Sequence, residues 1–125
     1  MAPDAPHRPR RPASVYDVGE EPDPRFSLAN ERTFLAWVRT ALAMLAGAVA
    51  LHSLQLPSSS WLRTIVVVVL LLVGASCTVL AYIRWARVER AMRLHRPLPH
   101  FSLGWLLTAA VVLVAVLLAI TLTLD

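Results

Sequence analysis

Arg32 and Arg39, near the start of the first long apolar stretch, are the side chains best suited to bind an anion. A guanidinium stays charged in proteins, and its fork of N–H donors matches the oxygens of carboxylate or phosphate. At helical spacing both share one face with small side chains, and that face comprises Arg32, Ala36, Arg39, Ala43, Ala46 and Ala50. In lipid, small residues let helices approach closely, and charged residues usually face protein or water. This face is therefore predicted to lie toward neighbouring helices or a central axis.

Asn30 and Glu31, directly before Arg32, are candidates for polar contacts between helices or between subunits. Glu31 would pair with an arginine of another helix or another copy, and Asn30 would bond a backbone carbonyl across a helix contact. Simpler interpretations stay open for this cluster. The arginines would reach the lipid headgroups with their long stems, and Glu31 would be a solvated carboxylate favoured by the start of a helix.

A second group of arginines recurs at every third residue after the second apolar stretch, at positions 84, 87, 90, 93 and 96. Each step turns a helix by about 300°, so the charges wind around it. Attraction of a solvated helix to anionic lipid explains most of this pattern. Arg84 and Arg87 are expected at the depth of Arg32, where the three would form a cationic collar around a cytoplasmic mouth. Glu89 is expected to form an ordinary helix pair with Arg93.

The sequence contains no group of side chains with the spacing of a metal site or of a catalytic nucleophile and its base. The four histidines show no ligand spacing with a cysteine or a carboxylate. Cys77 is the one cysteine, so no intrachain disulfide is possible. A nucleotide-binding glycine pattern is also missing. We therefore expect a protein that is not an enzyme, binds no metal or cofactor and has no nucleic-acid partner.

The elements that position these residues follow from a strongly apolar composition. Of 125 residues, 57% are hydrophobic and 16% are charged, which is too apolar for an ordinary soluble domain of this size. A helix needs about 20 apolar residues to cross a bilayer core. All 12 basic residues are arginine, and the formal net charge is +4. The lipid bilayer is therefore the expected main partner of the chain.

The hydrophobic pattern predicts an all-α fold with three transmembrane helices, at about residues 33–54, 61–83 and 103–124. Asp23 and Pro24 are typical of a helix start, because aspartate caps free amide groups and proline loses no hydrogen bond at the first helical position. The first helix is therefore expected to begin well before its span.

Residues 1–22 are predicted to form a disordered cytoplasmic tail ahead of a membrane domain at residues 23–125. The tail has many prolines, mixed charges and few large apolar side chains, so it cannot bury enough surface to offset the entropy of ordering. Arginine is concentrated in the tail and in the loop after the second span, and the positive-inside rule places both in the cytoplasm. The expected topology has the N-terminus inside and the C-terminus outside.

The start of the membrane domain resembles that of the YidH family of small bacterial inner-membrane proteins. The resemblance rests on the run from Asp23 to Thr40, DPRFSLANERTFLAWVRT, with its specific core ANERTFLAW, and on the boundary segment YIRWAR at residues 82–87. It extends from about residue 23 onward and includes the three-span layout. The resemblance implies a multi-pass protein of the bacterial inner membrane, in a family without a settled function to transfer.

The same domain is similar to the membrane part of the eukaryotic vacuolar transporter chaperone complex, in which several copies form a polyphosphate-conducting pore lined by basic residues. This similarity implies that Arg32 matches the arginine of the Asn-Glu-Arg motif, with Glu31 as its acidic neighbour. It also implies that Arg84 or Arg87 matches the basic residue that ends the second span. The chain has no cytosolic polymerase domain, so polymer synthesis is not expected of it.

Two functions of different classes follow from these observations. The first is a homo-oligomeric pore, in which Arg32, Arg39 and either Arg84 or Arg87 attract phosphate-like anions, since arginine rings are an expected device for anion selectivity. The second is a non-conducting scaffold, which would use the same arginines to hold anionic lipid headgroups or an acidic helix of a partner membrane protein. The number of copies in the membrane is the observation that separates them.

Overall fold

The computed structural model describes residues 9–99 and 103–124. Its four helices are α1 Ala13–Tyr16, α2 Pro24–Ser53, α3 Ser60–Arg93 and α4 Leu103–Thr123. The described part of the chain contains no strand. Three of the helices, α2, α3 and α4, are long and apolar enough to cross a membrane. The predicted all-α fold with three membrane helices is confirmed, whereas the orientation of the termini stays a prediction.

The second helix, α2, begins at the predicted helix start. The Asp23 carboxylate accepts a hydrogen bond from the backbone N–H of Arg25 at 2.9 Å, and Pro24 is the first helical residue. With 30 residues at about 1.5 Å each, α2 is about 45 Å long and exceeds a hydrocarbon core of about 30 Å. Its first turns, which carry the polar residues, therefore lie outside the core.

The main helix pair of the molecule, α2 with α3, packs through small side chains. Ala41 and Ala48 of α2 and Gly74 and Ala81 of α3 are buried. A Cβ atom at Gly74 would lie 3.2 Å from the carbonyl oxygen of Ala41, so the two backbones approach closely at this point. Close approach stabilises the pair by van der Waals contact, which is the main source of helix association in lipid.

The last helix, α4, packs less extensively and only on the outside of this pair. Its Val114 joins Ala48, Val66 and Leu70 in one buried cluster. Most of its other large apolar side chains are exposed in the single chain. Such a helix is suited to contact acyl chains over most of its circumference.

The arginine-rich segment after the second span is helical. The helix α3 has 34 residues and continues through Arg93, well beyond the predicted span end near residue 83. The arginines at positions 84, 87, 90 and 93 therefore extend from the same rigid element that crosses the membrane. Their directions are set by the rotation of α3 against its neighbours.

Residues 9–22, here called the N-terminal strap, differ from the predicted disordered tail. The strap contains α1 and packs against the end of α3, with Val15 only 1% exposed. The backbone N–H of Glu20 donates to the carbonyl oxygen of Arg93 at 2.9 Å. Composition suggested disorder because the strap has few apolar residues, but polar contacts with α3 order it. Residues 1–8 of the predicted tail lie outside the described residues.

Candidate functional site

Polar side chains join α2 to α3 at the end where the strap packs. Asn30 Nδ2 donates to the carbonyl oxygen of Trp85 and to Glu89 Oε2, both at 3.1 Å. The Ser27 hydroxyl donates to Glu89 Oε1 at 2.7 Å. Glu89 is 4% exposed and Asn30 is 5% exposed, and at such burial an unpartnered polar group is costly. Neutral donors of α2 therefore hold a buried carboxylate of α3. We call these four residues, Ser27, Asn30, Trp85 and Glu89, the polar junction.

Within the described ranges, Glu89 and Arg93 do not form the ion pair expected from their spacing. Glu89 is held by side chains of α2, whereas Arg93 binds the strap. That expectation was wrong because a local helix pair contributes only about 0.2–0.5 kcal/mol, and tertiary partners on two different elements are available to these side chains.

Arg93 ties the strap to α3. Its Nε and Nη2 donate to the carbonyl oxygens of Val18 and Tyr16, each at 2.9 Å. Its Nη1 lies 3.5 Å from the carboxylate of Glu21, and its guanidinium carbon lies 5.6 Å from the centroid of the Tyr16 ring. The side chain is buried, and these contacts offset part of the cost of removing its charge from water, while Nη1 itself has no hydrogen bond within the described residues. Arg93 thereby positions Tyr16 beside the polar junction.

A second ion pair joins the two ends of the strap. Arg10 Nη1 donates to Glu21 Oε1 at 3.0 Å. This hydrogen bond from Arg10 lowers the pKa of the Glu21 carboxyl below its ordinary value, and the positive charges of Arg10 and Arg93 lower it further. Both side chains of the pair are more than half exposed, so the pair contributes little stability by itself.

A groove of about 300 Å³ opens between α2, α3 and the strap, and we call it the acidic groove. Its lining includes Tyr16, Glu31, Phe34, Tyr82, Trp85 and Glu89. The Trp85 ring lies 6.3 Å from the Tyr16 ring and 5.8 Å from the Tyr82 ring, measured between centroids. Carboxylates beside aromatic faces attract a cation and repel an anion. Glu31 is thus part of a surface suited to a positively charged group.

Arg32 and Arg39 are exposed on the α2 face opposite to the buried one. The buried residues of α2 are Asn30, Trp37, Ala41 and Ala48. At about 100° per residue, both arginines lie on the far side of the helix from these positions. The four alanines that share their face, at positions 36, 43, 46 and 50, are exposed as well. We call this surface the arginine–alanine face.

The structure does not bring the predicted cationic collar together within one chain. Arg84 is half-buried and Arg87 is exposed on α3. Arg87 lines a shallow surface groove with other arginines of the same segment. Arg32 and Arg39 lie on the side of α2 that faces away from α3, so α2 itself stands between the two groups. A collar that combines them requires more than one copy of the chain.

Ser27 and Glu89 of the polar junction, and Arg93 beside it, were not predicted as functional from the sequence. Glu89 carried a signal that was available, because it is the single acidic residue of α3 and directly follows Val88. Ser27 and Arg93 carried no comparable signal. Their partners lie at least 62 residues away in the sequence, and only packing reveals them.

The three helices long and apolar enough to span a membrane define an integral membrane protein. A family model described as "Domain of unknown function (DUF202)" matches residues 25–91, which is more than half of the chain. The chain belongs to this family. The match covers nearly all of α2 and α3, the two helices that supply the polar junction and the arginine–alanine face.

Relatives extend the similarity across most of the chain. The inner membrane protein YidH of Escherichia coli (strain K12) is 42% identical over 104 residues, which cover 82% of this chain and 90% of that protein. An uncharacterized protein of Mycobacterium tuberculosis (strain CDC 1551 / Oshkosh) is 46% identical over 105 residues, which cover 80% of this chain and 84% of that protein. No solved structure matches the chain. The resemblance to the YidH family and the multi-pass inner-membrane location are confirmed.

Proposed function

We propose that the chain assembles into a homo-oligomeric ring in which α2 faces a shared axis and Arg39, with Arg32, attracts phosphate-like anions. The observation that carries this proposal is the outward position of the arginine–alanine face. Both arginines and the four alanines on it are exposed in the single chain. A surface that combines small residues with cations is suited to another protein helix or to an aqueous axis and not to acyl chains.

Arg39 gives the strongest support for an assembly. It has no hydrogen bond or ion pair with any residue in the described ranges, although it lies inside the predicted first span. An arginine at the bilayer centre costs about 2.5–3.5 kcal/mol on insertion scales, and less at a shallower depth. A neighbouring copy, an aqueous cavity or a bound anion offsets such a cost, and a ring around an axis supplies all three.

Anion selectivity follows from the repetition of charge around the axis. Each copy contributes the same two cations of α2, and rings of arginine select for anions. Arg84 and Arg87 extend from α3, so in this arrangement they add positive charge at the mouth of the ring and not along its length. A multivalent phosphate-like anion is the class of solute that such a field attracts most strongly.

Flux through liposomes tests the anion pathway. The purified chain is reconstituted, and release of trapped inorganic phosphate or short polyphosphate is followed. Arg39→Gln is expected to abolish release, because it removes the cation within the span. Arg11→Gln makes the same chemical change at an exposed position of the strap, away from the arginine–alanine face of α2, and should leave release unchanged. Equal release from wild type and Arg39→Gln contradicts the anion pathway.

Native mass spectrometry in mild detergent tests the ring. Three helices enclose no ion path, so a pore requires several copies around one axis. We expect a closed oligomer of defined copy number. A stable monomer or dimer contradicts the pore.

A non-conducting scaffold that holds anionic lipid, or the acidic helix of a partner membrane protein, is the second candidate. The observation in its favour is the shallow groove lined by Arg87, Arg90 and Arg96 beside the end of α3. Clusters of arginine close to a span attract anionic headgroups. This function predicts copurified anionic lipid that is reduced by the double variant Arg87→Gln, Arg96→Gln, and no flux in any variant.

A further inference from the structure

Glu31 and Arg32 are oppositely charged neighbours in the sequence that lie on different surfaces of α2. Adjacent residues of a helix point about 100° apart. Glu31 lines the acidic groove, whereas Arg32 belongs to the arginine–alanine face. Both side chains are exposed, and neither has a hydrogen bond or ion pair with another residue that the structure describes. One chain therefore presents an unpaired carboxylate and an unpaired guanidinium on two separate surfaces.

The two charges match in depth between copies of the chain. Copies that cross a membrane in the same direction place each residue at the same level. Since Glu31 and Arg32 are adjacent, their levels differ by only about 1.5 Å along α2. The guanidinium of one copy is therefore level with the carboxylate of a neighbouring copy, whatever the depth of the chain in the bilayer.

The acidic groove has the chemistry that receives a guanidinium. An arginine fork binds a carboxylate through two parallel hydrogen bonds, and its plane stacks on aromatic rings. Glu31 supplies the carboxylate, and the adjacent rings of Tyr82 and Trp85 supply aromatic faces. Glu89 adds a second negative charge. Its carboxylate accepts hydrogen bonds from neutral donors only and forms no ion pair within residues 9–99 and 103–124. Arg10 of the strap interacts electrostatically with Glu89, so the exposed Glu31 is the carboxylate of the groove that is open to a further cation.

We infer that the acidic groove is the docking site for a second copy of this chain, whose Arg32 enters it and pairs with Glu31. The inference rests on the ring proposed above and names its subunit contact. The two surfaces that meet are different, so the contact is head-to-tail, and contacts of this kind close into rings when the rotation permits. This contact changes the role proposed above for Arg32, which is paired with Glu31 in the assembled ring. Arg39, two turns farther along α2, takes no part in the contact and is the cation of α2 that stays available to an anion.

Charge reversal tests the pairing in the full chain, by native mass spectrometry in mild detergent. Glu31→Arg alone and Arg32→Glu alone each place like charges together at every subunit contact, and both are expected to convert the oligomer to monomer. The double variant with both changes restores opposite charges in exchanged order, and its oligomer should return. Arg11→Glu reverses a charge at an exposed position of the strap, off the arginine–alanine face, and is the control that should keep the wild-type copy number.

Each outcome bears on one proposal separately. A wild-type oligomer that persists in both single variants overturns the docking inference and leaves the ring standing. A double variant that is monomeric but helical by circular dichroism also overturns the docking inference, because opposite charges are then present without assembly. A monomeric wild type overturns both proposals. Rescue by the double variant together with absent phosphate flux supports the docking site and contradicts only the anion function.

Discussion

Asn30 Nδ2 lies 3.1 Å from Glu89 Oε2, so a neutral amide of α2 donates to a buried carboxylate of α3. This bond, with the one from the same amide to Trp85, sets the rotation of α2 about its own axis. With Asn30 directed at α3, the step of about 100° per residue directs Arg32 away from α3. Together with the close packing of Ala41 against Gly74, the polar junction therefore determines which surface carries each charge of the Asn-Glu-Arg motif.

Loss of the Glu89 carboxylate should loosen the helix pair. Glu89→Ala removes the acceptor of the Ser27 hydroxyl and leaves Asn30 Nδ2 with the Trp85 carbonyl alone, at a cost of about 1–3 kcal/mol. Thermal unfolding in detergent should show a lower Tm than wild type. Asp17→Ala removes an exposed carboxylate and serves as control. Equal Tm values for wild type and Glu89→Ala would show that the junction adds no stability.

The close approach of α2 and α3 should depend on Gly74. An alanine there would place its Cβ 3.2 Å from the carbonyl oxygen of Ala41, so the helices must separate slightly. Gly47→Ala is the matched control, because its Cβ would meet only Leu70 Cδ1, at 4.0 Å. We expect Gly74→Ala to have a lower Tm than wild type, and Gly47→Ala to have the same Tm as wild type. A pair of variants with the same Tm would contradict close packing at Gly74.

Attachment of the N-terminal strap should require glycine at position 19. Gly19 has a φ of +61°, and a Cβ there would overlap the carbonyl oxygen of Arg93 at 1.9 Å. Gly19→Ala should therefore release the strap and make it sensitive to limited proteolysis, while the helix pair stays folded. Identical cleavage rates for Gly19→Ala and wild type would mean that the strap does not depend on this contact.

Acid should weaken the strap through Glu21. Because the hydrogen bond from Arg10 lowers the pKa of this carboxyl in the folded chain, its contribution to stability is complete above the ordinary value of 4.5 and is lost as pH falls through the lowered pKa. Titration of the Glu21 carboxyl carbon by NMR should show a midpoint below 4.5. Arg10→Gln should raise that midpoint, and an unchanged midpoint would contradict the pairing.

The strap and the Glu89–Arg93 pair show where interpretation of the sequence was insufficient. The strap has few apolar residues, which predicted disorder, yet Arg93 binds the carbonyl oxygens of Val18 and Tyr16. Backbone carbonyls are present in every sequence, so composition contains no information about which of them a distant arginine will bind. The local spacing of Glu89 and Arg93 likewise contains no information about their competing partners on other elements.

The sequence by itself determined the three membrane helices, the start of α2 at Asp23 and the clustering of charge near one end of the spans. These properties depend on apolar length, capping and composition, which are local in the chain. Only the tertiary structure decided that Glu31 lies in an acidic groove while Arg32 lies on an exposed face with small residues. That division depends on the rotation of α2, which contacts with α3 set across at least 55 residues of sequence.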